Sequence, residues 1–82
     1  MKNTNYELLK ELLGESYRFN IAQSKYMAEE YIYLTVNDTQ FVIFAEENNT
    51  LEISYIDEEA LECVEHICNT PEEIIEILDN MR

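Results

Sequence analysis

The spacing of hydrophobic and polar positions changes several times along the chain, and each change predicts an element. Leu8, Leu9, Leu12 and Leu13 recur on one helical face. Thr4-Asn5-Tyr6-Glu7 just before them has the Ser/Thr-x-x-Glu form of a capping box, so a helix is expected to start at Thr4. Gly14 is placed to end that helix in a left-handed cap. Tyr17, Phe19 and Ile21 then alternate with Arg18, Asn20 and Ala22, the pattern of a strand with one buried face. From Gln23 to Glu30 no period is visible, and a loop is expected.

Tyr31 to Val36 and Thr39 to Glu46 are rich in β-branched and aromatic residues and are separated only by Asn37-Asp38. Asn and Asp tolerate the positive φ values of a type I′ turn, so the two runs predict a tight hairpin with Leu34 opposite Phe41 and Ile32 opposite Ile43. Thr50 to Ile56 alternates as a third strand of this meander. A loop Glu47-Asn48-Asn49, with Asn49 left-handed, aligns Leu51 with Ala45 and Ile53 with Ile43. One residue fewer would turn that apolar set to the wrong face. The reverse face then carries Tyr31, Tyr33, Val42 and Phe44 beside Glu46 and Glu52, an aromatic and acidic surface unless a helix covers it.

Asp57 is suited to cap a further helix. Leu61, Val64, Ile67 and Cys68 fit a buried stripe on it, with Glu58, Glu62 and Glu65 towards solvent. Thr70-Pro71-Glu72-Glu73 forms a second capping box with Pro at the first helical position. In that last helix Ile74, Ile75, Leu78 and Met81 are expected inside. The order α-β-β-β-β-α-α describes a single α+β domain spanning residues 1–82, an antiparallel meander of three to four strands packed with three helices.

Composition agrees with a folded chain: 46% of the residues are hydrophobic and nine are aromatic. No signal segment follows Met1 and no apolar run is long enough to span a membrane, so a soluble, cytoplasmic protein is expected. Cys63 and Cys68, on a helix, would point about 140° apart. That geometry disfavours an intrachain disulfide and suits reduced core thiols in the cytosol.

Charge alters the picture most. The net charge is −13, and from Glu29 to Met81 there are fifteen Asp or Glu residues and no Lys or Arg. Self-repulsion of this size predicts an unfolding midpoint that rises with salt.

The candidate chemistries are sparse. His66, with Cys63 and Glu62 on the same expected helix face, offers two or three metal ligands where a closed site wants four. Neither Asp57-Glu58-Glu59 nor Glu46-Glu47 has calcium-loop spacing, and Gly14 is the only glycine. Carboxylate pairs on loop tips and outer faces lack the cleft that would separate their pKa values. There is no phosphate loop, nucleophile elbow or paired Cys or Ser nucleophile. A non-enzymatic protein without metal or cofactor is therefore expected. Tyr31, Tyr33 and Phe44 are placed as a base-stacking platform would be, but without basic residues to hold phosphates, so direct nucleic-acid binding is not expected. A second core layer or a protein interface suits them better.

Solubility needs a smaller charge with both signs mixed, and helix faces ordinarily mix Glu with Lys. Carboxylates of one sign on a rigid scaffold can instead imitate nucleic-acid phosphates and occupy a basic groove on another protein. In size, acidity, capped first helix, short meander with an Asn/Asp turn and two acidic C-terminal helices, the chain resembles the small phage-encoded anti-CRISPR proteins that block type II Cas9. The resemblance spans the whole chain in architecture and charge, without a shared motif.

It implies inhibition by DNA mimicry, in a host cytoplasm, of Cas9 bound to its guide RNA. Asp38, Glu46, Glu47, Glu52, Asp57, Glu58 and Glu59 would face the basic groove. Other restriction or repair nucleases fit the same charge argument. The alternative is an adaptor or immunity-type module that binds a protein through the Tyr31 and Tyr33 face and keeps its acids for steering.

Overall fold

A computed structural model of the chain describes residues 3–23, 25 and 29–82. Those residues form two helices and five strands in the order α1 (Thr4–Ser16), β1 (Asn20–Gln23), β2 (Glu30–Val36), β3 (Thr39–Ala45), β4 (Leu51–Asp57), β5 (Glu62–Cys68) and α2 (Pro71–Asn80). Every strand pairs antiparallel with its neighbour in sequence, giving one open meander in the order β1-β2-β3-β4-β5. The α+β class holds. The third expected helix is absent from the described residues and a fifth strand stands in its place.

Burial of one sheet face fixes the register. Ile32 lies opposite Ile43 and Ile43 opposite Ile53, a row of isoleucines across the three central strands; Leu34, Phe41 and Tyr55 make the next row. Tyr6, Leu9 and Leu13 of α1 and Ile74 and Leu78 of α2 close over these rows and form one core with them. Each fully buried aliphatic side chain contributes about 1.5–3 kcal/mol of transfer free energy. Leu8, expected in the α1 stripe, is half exposed, and Tyr6 takes its place inside.

The turns follow local chemistry. Asn37 and Asp38 adopt φ of 50° and 68°, as a type I′ hairpin requires, and the expected Leu34–Phe41 and Ile32–Ile43 pairs form. Between β3 and β4 a short 3-10 turn, Glu47–Asn49, places both Asn48 and Asn49 in the left-handed region. Leu51 and Ile53 then meet Ala45 and Ile43 in the expected register.

Three local expectations are corrected. The cap of α1 is Asn3, whose side chain accepts the Tyr6 N–H at 2.9 Å, while Thr4 is already helical and hydrogen-bonds the Asn49 side chain. Gly14 does not end the helix: α1 continues to Ser16, and Tyr17 N–H bonds the Leu13 carbonyl. The strand expected around Tyr17 to Ala22 is shifted to Asn20–Gln23, with Tyr17 and Phe19 packed against the core before it begins. Of the expected loop from Gln23 to Glu30, the two end residues belong to strands, and residues 24 and 26–28 lie outside the described residues.

The largest correction concerns Asp57 to Cys68. Asp57 does accept hydrogen bonds from the N–H groups of Glu59 and Ala60, at 3.1 and 3.3 Å, but they close a turn and not a helix. Leu61, at φ 56°, reverses the chain, and β5 returns alongside β4 with Glu62 opposite Asp57. A leucine in this conformation costs about 1–2 kcal/mol that Gly or Asn would avoid. Its side chain is 85% exposed. At the other end the Thr70 cap forms as expected, with the Thr70 hydroxyl accepting the Glu73 N–H and Glu73 reaching back to the Asn69 N–H.

Candidate functional site

With α1 and α2 both on one side, the opposite sheet face is left uncovered by any described element. Alternation places on it Ala22, Tyr31, Phe44, Glu52 and Ile67 in one row, and Asn20, Tyr33, Val42, Ser54 and Glu65 in the next. The aromatic groups support one another. Tyr31 and Phe44 have ring centroids 5.3 Å apart, and Tyr31 and Tyr33 6.2 Å. They are half-buried by this mutual contact, so they form a surface and not a second buried core layer.

Beside the rings lies a group of carboxylates. Burial among its neighbours, a hydrogen bond shared with Glu46, and the charge of Glu46 and Glu65 together push the Glu52 carboxyl above its ordinary value. The ion pairs among the described residues join Lys10 to Glu7 and Glu30, and Arg82 to Asp79. None of them involves Glu46, Glu52 or Glu65. The open face therefore carries negative charge that the described residues leave uncompensated.

The nine residues expected to bind a partner separate into two groups. Glu46 and Glu47 sit at the β3–β4 end, near Glu52, Tyr31 and Tyr33. Asp38, Asp57, Glu58 and Glu59 gather at the far end, where the β2–β3 and β4–β5 turns line a shallow groove of about 360 Å³ together with Tyr55 and Met81. The ends are about 20 Å apart, the length of a seven-residue strand. Glu65 lies between them, opposite Ser54 in the middle of β4. Sequence reasoning missed Glu65 and Ile67 as members of this face because it placed them on a helix. The signal was available: Cys63-Val64-Glu65-His66-Ile67-Cys68 contains no strong helix former except Glu.

The same change of element dissolves the metal reading. Glu62 and His66 share one face of β5 and Cys63 points to the other, and no group of three possible ligands forms among the described residues. Cys63 is exposed, contrary to the expected core thiol, and Cys68 is buried; both are free. Their odd spacing on a strand, not a helical angle, keeps them apart. Burial, with Glu73 nearby, raises the Cys68 thiol above its ordinary pKa.

No described helix is long and apolar enough to cross a membrane. Comparison with known protein families, with curated proteins and with solved structures finds no match to the chain.

Proposed function

We propose that the protein is a non-enzymatic inhibitor that occupies a basic nucleic-acid-binding groove of another protein by mimicking DNA. The observation that carries this reading is the set Glu46, Glu52 and Glu65 on one sheet face, which no cation among the described residues pairs. Together with the acidic turns it extends a stripe of carboxylates from one end of the sheet to the other. A cationic groove would relieve the repulsion from Glu46 and Glu65 that adds to burial in raising the Glu52 pKa. Cas9 loaded with guide RNA, in a host cytoplasm, is the target suggested by the resemblance in size, acidity, capped first helix and Asn-Asp meander, although one of the two C-terminal helices on which it also rested is strand β5.

A second reading draws support from the uncovered rings: Tyr31, Tyr33 and Phe44 suit an adaptor that binds through aromatic anchors, with the acids steering approach. One experiment separates the two. Immobilised protein is exposed to a cell lysate, and bound proteins are eluted first with duplex DNA and then with salt. Mimicry expects nucleic-acid-binding proteins, Cas9 complexes among those tested, to leave with DNA. It also expects joint reversal of Glu46, Glu52 and Glu65 to Lys to abolish capture. Capture that survives this reversal, resists DNA and is lost in Tyr33→Ala overturns mimicry in favour of the adaptor.

A further inference from the structure

β5 is an edge strand that the rest of the fold barely packs. It lies last in the sheet, so every second N–H and C=O along it points away from β4 with no strand among the described residues to receive it. Of its side chains only Cys68 is buried, Val64 is half-buried, and Glu62, Cys63, Glu65, His66 and Ile67 are exposed. Two exposed apolar groups, Leu61 at 85% and Ile67 at 61%, lie towards its two ends. A seven-residue strand open on its edge and on both faces is an unusual thing for a small domain to leave unprotected.

We infer that β5 pairs antiparallel with β5 of a second copy, around a two-fold axis at Val64, to make a continuous ten-stranded sheet. The register follows from the sequence of the strand. Directly opposed residues in an antiparallel pair share a face, so a two-fold axis normal to the sheet must pass through a residue. With the axis at Val64, Glu62 meets His66 of the other copy, Cys63 meets Glu65, and Val64 meets itself, while Leu61, in the turn just before the strand, lies at the end that carries Ile67 of the other copy. Glu62 gains the only histidine of the chain. No two carboxylates are directly opposed.

Neighbouring registers are worse. An axis at Glu65 sets that carboxylate against its own copy and Glu62 against Cys68. One at Cys63 puts Glu62 against Val64 and removes His66 from Glu62. With the axis at His66, Glu65 faces Ile67. Like charges directly across a sheet are destabilising, so Glu62 and Glu65 act as register selectors where on other edges they would simply block pairing. A basic strand from another protein would satisfy the charge of β5, but it would not account for the fit of Glu62 to His66 within one sequence. The pairing is independent of the inhibitor reading, and it would join the two open faces into one longer acidic surface.

Sedimentation equilibrium over a wide concentration range tests the pairing. A monomer–dimer equilibrium is expected, with the dimer favoured by added salt, because each copy brings a charge of −13. His66→Glu opposes a carboxylate to Glu62 at two symmetric places and is expected to weaken the dimer on the order of tenfold or more. Adding Glu62→Lys to that variant is expected to restore it. Since His66 is exposed, neither change disturbs the core. In the unsubstituted protein, hydrogen exchange of the β5 amides is expected to slow as protein concentration rises. A monomer at every concentration and salt level overturns the inference, as does a dimer indifferent to His66→Glu or a charge swap that fails to rescue. Protection of β5 that appears only with added polylysine, the chain staying monomeric, assigns the edge to a basic strand instead.

Discussion

Asn3 and Thr50, 47 positions apart, are joined by a hydrogen bond from the Asn3 side-chain amide to the Thr50 carbonyl at 2.8 Å. The same amide donates to the Glu46 carbonyl at 3.1 Å, while the Asn3 side-chain oxygen caps α1 at Tyr6 N–H. One side chain thus begins the helix and fastens it to the β3–β4 turn. Asn5 continues the attachment, donating to the carbonyls of Asn49 and Asn69, both at 2.8 Å.

Asn3→Ala removes the cap and both tethers and is expected to cost about 2–3 kcal/mol. Asn3→Ser keeps a capping oxygen and loses only the tethers, so about half of that loss is expected. Urea unfolding of the two variants measures the difference; equal losses would mean that the tethers contribute nothing.

Gly14 lies inside α1, where an added Cβ meets nothing within 4 Å and the backbone has no positive φ to relieve. Gly14→Ala is therefore expected to stabilise the protein by about 0.5–1 kcal/mol, read as a higher thermal midpoint.

Glu52 titrates above its ordinary value of 4.5 in the folded protein. The folded state therefore holds this proton more tightly than the unfolded chain does. No penalty exists where both states are protonated; it grows as pH rises from the ordinary carboxylate value through the raised one, and is complete at neutral pH. Glu52→Gln is expected to raise stability at pH 7 by about 0.5 kcal/mol, the scale of a like-charged cross-strand contact, with the gain vanishing below about pH 4. Salt is expected to raise the midpoint of the unsubstituted protein and to shrink the benefit of the variant. Thermal melts across pH and salt check both.

The cysteines differ enough to be distinguished chemically. A thiol reagent is expected to modify Cys63 readily in the folded protein and Cys68 only on unfolding, because Cys68 is 3% exposed and its thiol is shifted away from the reactive thiolate. Two thiols reacting together under native conditions would show that β5 does not hold Cys68 against the core.

Most of the sheet was legible because local and global demands coincide there. Asn37-Asp38 can form only a narrow set of turns, and alternation on both sides leaves one register that buries Ile32, Ile43 and Ile53 together. The segment from Asp57 to Cys68 misled for a physical reason. An Asp side chain accepting the N–H groups two and three residues on makes the same hydrogen bonds at a helix N-terminus and at a turn. The positive φ of Leu61, which decides between the two, lacks its usual marker of Gly or Asn. Leu61, Val64, Ile67 and Cys68 also satisfy a helical stripe and hide the alternation that β5 uses. The acids at the turns could be placed from the sequence, whereas the meeting of Glu52 with Glu65 depended on that missed strand.

The order β1-β2-β3-β4-β5 means that every strand is laid down beside the one just before it. Each sheet pairing therefore closes a short loop, and only the docking of α1 onto the β3–β4 turn and α2 spans most of the chain. Pairing between neighbours in sequence lets the sheet assemble one hairpin at a time. As the chain leaves a ribosome, β2 and β3 can pair before β5 exists, and the repulsion among carboxylates builds up only as each new strand arrives. α2, which follows β5, also supplies Ile74 and Leu78 to the core, so the core closes only once that helix has emerged.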